Sequence, residues 1–176
     1  LFHAVGIYAA HILKLNVERL APSGAAAWQI AGRTIHNFLR LTPEEWMGHT
    51  LEKADYDRIA AVDVLLVDEY SLVSKPLLRK LDQVCRKAAR TRADKEKVFG
   101  GKTVIMCGDP TQLSIGARIY SSDVLQTFRA VQLETSKRAA EDNEFAALSQ
   151  RIRNGYTDRD SETFTRDYER LRSRRV

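Results

Sequence analysis

The stretch VDVLLVDEYS, residues 62–71, limits the possible folds of this chain more than any other segment. Its centre, VLLV, contains no polar residue and is followed at once by two acids. A short continuous apolar run of this kind is typical of a β-strand that is buried on both faces. Strands of that type occur in parallel sheets that are covered by helices. The segment therefore predicts an α/β fold with a parallel sheet at its centre.

The neighbouring segments support this arrangement. Residues 103–109, TVIMCGD, form a second apolar run, and residues 17–24, VERLAPSG, are typical of a strand that enters a turn. Residues 130–134, AVQLE, are predicted as a further strand. Because helix-like segments separate these strands, we expect a parallel sheet with flanking helices on both faces. The helix between the two apolar runs is predicted to start after the N-cap Ser74 and to bury Leu77, Leu78, Leu81, Val84, Cys85 and Ala88.

Composition places the chain among globular proteins that can bury a core. Of its 176 residues, 44% are hydrophobic and 29% are charged, and the net charge is +5. The pI of about 9.3 is compatible with a polyanionic partner. No apolar run reaches transmembrane length and no signal peptide is recognisable, so no membrane partner is expected. Cys85 and Cys107 both stand in apolar contexts and are expected to be buried, reduced thiols.

Both ends of the sequence are predicted to be helical. In residues 1–15, the apolar stripe of the helix is expected to be Leu1, Val5, Tyr8, Ile12 and Leu13. Neither this helix nor the one predicted over residues 165–176 carries the expected terminal signal. We therefore expect the sequence to be a fragment, truncated at both ends, of a longer protein.

Polar tips follow three of the predicted strands: Pro22–Gly24, Asp68–Glu69 and 108–112. In a parallel sheet the carboxyl ends of the strands share one edge, here called the rim, where ligands bind. Phosphoryl transfer to water needs a metal that neutralises phosphate charge and a group that polarises the water. Asp68 suits the metal, through water, and Glu69 suits the attacking water. The Gln112 amide can donate to a phosphate oxygen and accept from a water. The alternative is an ordinary acidic strand end beside an ordinary Asp-Pro turn.

The tripeptide GKT, residues 101–103, matches the end of the phosphate-binding pattern GxxxxGK[ST]. That pattern needs a glycine where this chain has Glu96, a strand before it and a helix after it. Here charged residues precede the tripeptide and an apolar strand follows. We therefore expect Lys102 to be a loop or strand-entry lysine.

Four segments in order resemble the motifs of one family, the superfamily 1B DNA helicases of the petite-integration-frequency (PIF) type. LAPSGAAAWQIAGRTIHNFLRL resembles its DNA-contacting motif Ia and the extension that contains Thr34-Ile35-His36. VDVLLVDEYSLV resembles motif II, and FGGKTVIMCGDPTQL resembles the lead-in to motif III and the motif itself. VQLETSKRAAEDNEFAALSQRIRNG resembles motif IV and the helix after it. The likeness covers about residues 1–160. It implies a RecA-like P-loop NTPase lobe over residues 1–135 and the motif IV helix with the start of a second lobe over residues 136–176.

The resemblance implies ATP and Mg²⁺ as cofactors and assigns roles to single residues. Asp68 is expected to coordinate the metal and Glu69 to be the catalytic base. Gln112 is expected to sense the γ-phosphate, Arg138 to reach the phosphates, and Asp109 to belong to the nucleotide site. The residues expected to contact single-stranded DNA are Pro22, Ser23, Gly24, Thr34 and His36, with His36 or Phe38 stacking on a base.

The resemblance further implies an ATP-dependent 5′-to-3′ helicase that moves on single-stranded DNA and unwinds duplex or structured DNA. Its expected roles are DNA repair, recombination or telomere maintenance, and its expected location is intracellular, in a nucleus or mitochondrion if the source is eukaryotic. The family's phosphate loop is expected directly before residue 1, so the fragment alone is expected to be inactive.

The rival hypothesis is a degenerate, non-catalytic lobe that binds nucleic acid or protein. A small-molecule P-loop kinase fits poorly, because such enzymes lack a GDPTQL rim and a TIH stretch. Several positions depart from the family pattern. Tyr70 replaces an aliphatic residue, 114–116 replace Pro-Pro-Val, Ala139 replaces a glutamine, and the segment between motifs Ia and II is short.

Overall fold

The structure, a computed structural model, describes residues 2–41, 51–110, 119, 122–133, 147–148, 150–152 and 162–173. The chain divides into two compact units, residues 1–128 and residues 129–176. The predicted boundary after residue 135 stays a prediction. Within the part of the chain that the structure describes, no helix is both long and apolar enough to cross a membrane.

The first unit contains strands that alternate with helices. The strands are β1 (Val17–Ala21), β2 (Arg33–Thr34), β3 (Val64–Val67) and β4 (Thr103–Met106). The helices are α1 (Phe2–Ile7), which continues as a π-helix over Tyr8–Ile12, α2 (Gly24–Gln29), α3 (Ile35–Phe38), α4 (Lys53–Ala60), α5 (Lys75–Ala88) and α6 (Arg92–Glu96). Short 3₁₀ turns cover Tyr70–Leu72, Val98–Gly101 and Leu125–Thr127. The second unit contains helical residues at 147–148 and 150–152 and the helix α7 (Glu162–Ser173).

The strands form a parallel sheet in the order β2-β1-β3-β4. All four residues of β3 are buried, and they alternate between two cores. Leu65 and Val67 belong to the larger core, which also contains the apolar side of α5. Val64 and Leu66 pack with Ala9 of the π-helix in the smaller core. The sheet therefore has helices on both faces, and the predicted fold class is confirmed.

The α5 helix follows its predicted pattern. The Ser74 hydroxyl accepts a hydrogen bond from the backbone N–H of Leu77 at 3.4 Å, and Pro76 lies in the first turn. Every apolar residue that helical spacing selected is buried. Each fully buried leucine contributes about 1.5–3 kcal/mol relative to an exposed one, so the apolar side of this helix stabilises the larger core.

Both cysteines are free thiols, as predicted. Cys85 is fully buried on the apolar side of α5, and burial raises its pKa to about 12. Cys107 is only half-buried, because it follows β4 at the rim rather than facing a core. The prediction of a buried thiol is therefore confirmed for Cys85 and needs correction for Cys107.

The predicted strand over residues 130–134 is not observed in its described part. Residues 130–133 have no regular structure, and the side chains of Val131 and Leu133 are exposed. A strand forms only where its backbone N–H and C=O groups find a partner, and alternation of apolar residues alone does not supply one.

The apolar stripe predicted for the first helix was also wrong beyond Val5. Tyr8, Ile12 and Leu13 are exposed, whereas Gly6 and Ala9 are buried. Phe2, Val5 and Ala9 pack together at helical spacing, so the buried side is a stripe adjacent to the predicted one, and Tyr8 lies outside it. The π-helix that begins at Tyr8 has a wider turn, which changes which residues after Ala9 face the sheet.

Candidate functional site

The carboxyl ends of three strands meet at the rim. Leu20, Val67 and Met106 are in register across β1, β3 and β4. The backbone N–H of Asp68 donates to Leu20 at 2.9 Å, and that of Cys107 donates to Val67 at 2.8 Å. The acidic tip of β3 therefore lies between the tips of β1 and β4, as the sequence predicted.

Asp68 and Glu69 are both half-buried at this tip. The Asp68 carboxylate accepts a hydrogen bond from the backbone N–H of Glu69 at 3.0 Å. Glu69 has a left-handed backbone conformation, with φ 50° and ψ 44°. Non-glycine residues in such conformations cost about 1–3 kcal/mol and cluster at functional sites. The chain thus turns sharply directly after Asp68, the metal-ligand candidate. This turn sets the direction in which the Glu69 side chain leaves the backbone.

A neutral thiol lies beside the Asp68 carboxylate. Burial raises the pKa of Cys107, and the negative charge of Asp68 raises it further. Cys107 therefore stays protonated near neutral pH and adds no negative charge to the rim.

Tyr70 and Gly108 join the tips of β3 and β4. The backbone N–H of Tyr70 donates to the carbonyl of Cys107 at 3.0 Å. A Cβ added to Gly108 would lie 2.7 Å from Cδ1 of the Tyr70 ring and 2.9 Å from its backbone nitrogen. The absence of a side chain at Gly108 therefore allows a close approach between the two tips, and the group that approaches is Tyr70. Sequence reasoning treated Tyr70 only as a departure from the family and missed this contact, although the glycine that follows β4 was its signal.

The remaining predicted nucleotide residues are described only in part. Asp109 is half-buried at the tip of β4, and Pro110 after it is exposed. Gln112 and Arg138 lie outside the described residues, so their roles stay predictions.

The segment predicted to contact DNA follows the same rim. Ala21 and Thr34 are in register, so the tip of β2 lies beside the tip of β1. The Ser23 hydroxyl accepts from the Ala26 N–H at 3.3 Å, and the Thr34 hydroxyl accepts from the Asn37 N–H at 3.1 Å. Ser23 and Gly24 are exposed, and Pro22, Thr34 and His36 are half-buried. The fold thus gathers these five residues at one edge.

Phe38 is the exception among the predicted DNA contacts. Its ring is fully buried in the larger core, and the Arg58 guanidinium lies 5.1 Å from the ring centroid. Arg58 also donates to the Phe38 carbonyl at 2.6 Å. The prediction that Phe38 stacks on a base is corrected, because opening this core would cost more than one stacked base contributes.

Lys102 lies at the opposite edge of the sheet. It precedes β4, and its ammonium group donates to the carbonyl of Val62, which precedes β3, at 2.7 Å. Burial lowers the pKa of Lys102 from its usual value. The lysine of GKT is therefore a structural strand-entry lysine, as predicted, and is remote from the rim.

The rim can hold a magnesium ion with few protein ligands. No three His, Cys, Asp or Glu residues cluster as a metal site in the described ranges. Mg²⁺ needs no such cluster at a nucleotide, since it keeps several waters and binds phosphate oxygens with one or two carboxylates. Asp68, a half-buried carboxylate at the strand tip, fits that role.

Comparison with known proteins identifies the family. The model of the family described as PIF1-like helicase matches residues 9–163. The chain belongs to the PIF1-like helicase family. The ATP-dependent DNA helicase PIF3 of Trypanosoma brucei brucei is 33% identical over 82% of the chain, and the PIF1 helicase of Saccharomyces cerevisiae is 28% identical over 89%. The chain covers 18% and 19% of these two proteins.

Solved structures of PIF1-like helicases have the same fold. The Pif1 helicase of Candida albicans superposes with a TM-score of 0.75 at 25% identity, over 97% of this chain and 40% of that one. The Bacteroides Pif1 helicase in complex with ADP-AlF3 and single-stranded DNA gives a TM-score of 0.67 at 25% identity, over 79% of this chain and 36% of that one. The PIF-type resemblance and the RecA-like fold class are thereby confirmed.

Proposed function

We propose that this chain is part of the motor of an ATP-dependent DNA helicase, in which it supplies the catalytic acids and part of the single-stranded DNA track. The observation that carries the proposal is the fixed acidic tip of β3. Asp68 and Glu69 are held between the tips of β1 and β4, and Tyr70 ties them to the tip that contains Asp109. An ordinary acidic strand end needs no such coupling to the next strand.

The two carboxylates have separate roles in the proposed reaction. ATP hydrolysis proceeds by positioning and charge stabilisation around the phosphates, and Mg²⁺ supplies neutralising charge when it is bound. Asp68 would hold the metal, and Glu69 would polarise the attacking water and accept its proton. Asp109, Gln112 and Arg138 are proposed to complete the nucleotide site.

The part of the rim formed by the tips of β1 and β2 is proposed to contact the DNA backbone. Ser23 and Gly24 present small groups and backbone amides, which suit phosphate oxygens. A relative from Bacteroides was crystallised with single-stranded DNA, and another structure concerns unwinding of forked duplex DNA by Pif1 helicases. These relatives support single-stranded and forked DNA as partners. We further propose 5′-to-3′ movement, an intracellular location, and roles in DNA repair, recombination or telomere maintenance.

The proposal is tested with the full-length protein by measuring ATP hydrolysis with and without single-stranded DNA. We expect hydrolysis that depends on Mg²⁺ and is stimulated by DNA. We also expect unwinding of a duplex with a 5′ overhang but not of the matched duplex with a 3′ overhang. Tight DNA binding without stimulated hydrolysis would instead identify a non-catalytic lobe.

A further inference from the structure

Trp28 is the most exposed large hydrophobic side chain that the structure describes, with 86% of its surface accessible. Tryptophan is highly buried on average, because its large ring gains much by leaving water. On the other side of α2, Ala27 and Ile30 already pack against Ala21 in a small core of their own. The indole is therefore not needed to hold α2 on the sheet.

Helix geometry directs the indole toward the rim. Side chains of an α-helix lean toward its N-terminus, so a residue covers the positions three and four before it. For Trp28 these are Ala25 and Gly24, which are both exposed. A Cβ added to Gly24 would meet no atom within 4 Å. Helix geometry therefore directs the ring toward the first turn of α2, which begins at the Pro22–Gly24 tip of β1 and has open space at Gly24.

The surrounding segment carries no negative side chain. Residues 19–41 contain three arginines and no Asp or Glu. Arg33 pairs with Glu18 at 3.1 Å and Arg40 with Asp55 at 2.9 Å, so carboxylates from outside the segment balance two of these charges. An exposed aromatic ring in a segment free of acids suits a ligand that combines flat rings with negative charge, which describes single-stranded nucleic acid.

We propose that Trp28 stacks on a base of the single strand, beside the Pro22–Gly24 turn that contacts its backbone. This inference rests on the proposed function, in which single-stranded DNA crosses the rim. Every base has a π face, so the contact adds affinity without sequence preference. Trp28 supplies the stacking surface that the buried ring of Phe38 cannot.

The test titrates the full-length protein with oligo(dT) and with an abasic strand of the same length, at one salt concentration. Trp28→Ala is expected to weaken oligo(dT) binding by about 5- to 150-fold, the range for losing one stacked base. Binding of the abasic strand is expected to stay unchanged, because its phosphate contacts remain. Trp28→Phe is expected to keep most of the oligo(dT) affinity. Tyr8→Ala, which removes an exposed aromatic ring from the first helix, is the matched control and should change neither affinity.

Other outcomes separate the two proposals. Equal losses on oligo(dT) and on the abasic strand, or unchanged binding of both by Trp28→Ala, would overturn the stacking role while leaving the helicase proposal intact. A wild-type protein that binds neither strand would contradict both.

Discussion

Glu69 has a backbone conformation that glutamate rarely adopts, and it stands between a metal-ligand candidate and a tyrosine that contacts the next strand. The position of Asp68 and Glu69 at a strand tip could be predicted, because few structures other than a buried strand explain VLLV followed by two acids. The left-handed turn could not be predicted, since no glycine or asparagine marks it. The burial of Phe38 was also not predictable, because α3 has only four residues and is too short for a periodic pattern to identify its buried side.

Replacing Gly108 with alanine tests the coupling between the tips of β3 and β4. The added Cβ would meet the ring and the backbone nitrogen of Tyr70, the residue that directly follows Glu69. We expect Gly108→Ala to lower the free energy of unfolding by about 1–3 kcal/mol, as overpacking usually does. Chemical denaturation measures this change. Gly24→Ala is the matched control, because open space surrounds that glycine, and a similar loss in both variants would contradict the proposed contact.

Replacing Lys102 with alanine tests its structural role. The variant loses the hydrogen bond from the Lys102 ammonium group to the Val62 carbonyl. Because this hydrogen bond is only partly buried, we expect a loss of about 1 kcal/mol in the free energy of unfolding. The affinity of the full-length protein for a fluorescent ATP analogue should not change. A tenfold loss of nucleotide affinity would show that this lysine contacts phosphate after all.

At the scale of elements, α5 and the turn over Val98–Gly101 form one structural unit. Asp82 of α5 is buried and accepts from the Phe99 N–H at 2.6 Å and from the Arg86 side chain at 2.8 Å. Arg86 in turn donates to the Glu96 carbonyl at 2.7 Å. Gly100 has φ 64°, and a Cβ there would lie 2.5 Å from the Cys85 carbonyl oxygen. Gly100, which directly precedes the GKT tripeptide, therefore brings the chain close to α5 before it enters β4.

Helical spacing predicted the apolar side of α5, but it did not predict that Asp82 is buried on that helix. A charged residue is normally assigned to the exposed side of a helix, and its partner Phe99 is far away in sequence. Residues 92–96 form a separate helix, α6, which has no buried residue and is too short for a periodic pattern to identify it. The Thr91 hydroxyl caps this helix by accepting from the Asp94 N–H at 3.0 Å.

Removing the Asp82 carboxylate should destabilise this unit. Asp82→Ala leaves the buried Phe99 N–H without its partner, so we expect a loss of about 2–4 kcal/mol in the free energy of unfolding. The comparison is with Asp123→Ala, which removes an exposed carboxylate that also pairs with an arginine, Arg79, at 2.9 Å. Thermal or chemical denaturation of both variants measures the difference. Similar, small effects would mean that Asp82 does not hold the turn.

At the scale of the whole molecule, the order of motifs along the sequence was enough to predict a parallel sheet and a common rim. The sheet confirms this, because its strand order places the tips of β1, β3 and β4 side by side. The two-residue strand β2 was not predicted, since so short a strand has no periodicity of its own. The strand expected at 130–134 was a local pattern without a pairing partner in the described residues. Gln112 and Arg138 lie outside those residues, and only functional measurements can test their roles.

The central claim is that the acidic tip of β3 hydrolyses ATP, and substitution of its two carboxylates in the full-length protein tests this most directly. DNA-stimulated hydrolysis and nucleotide affinity are measured for Glu69→Gln and Asp68→Asn. Glu69→Gln keeps the shape of the side chain but cannot accept a proton, so hydrolysis should fall by about 10²–10⁴-fold while ATP still binds. Asp68→Asn should also weaken the Mg²⁺ dependence of nucleotide binding, because a neutral amide is a poorer partner for a hard cation. Near-normal hydrolysis by Glu69→Gln would contradict the account and leave VDEYS as an acidic strand end without a catalytic role.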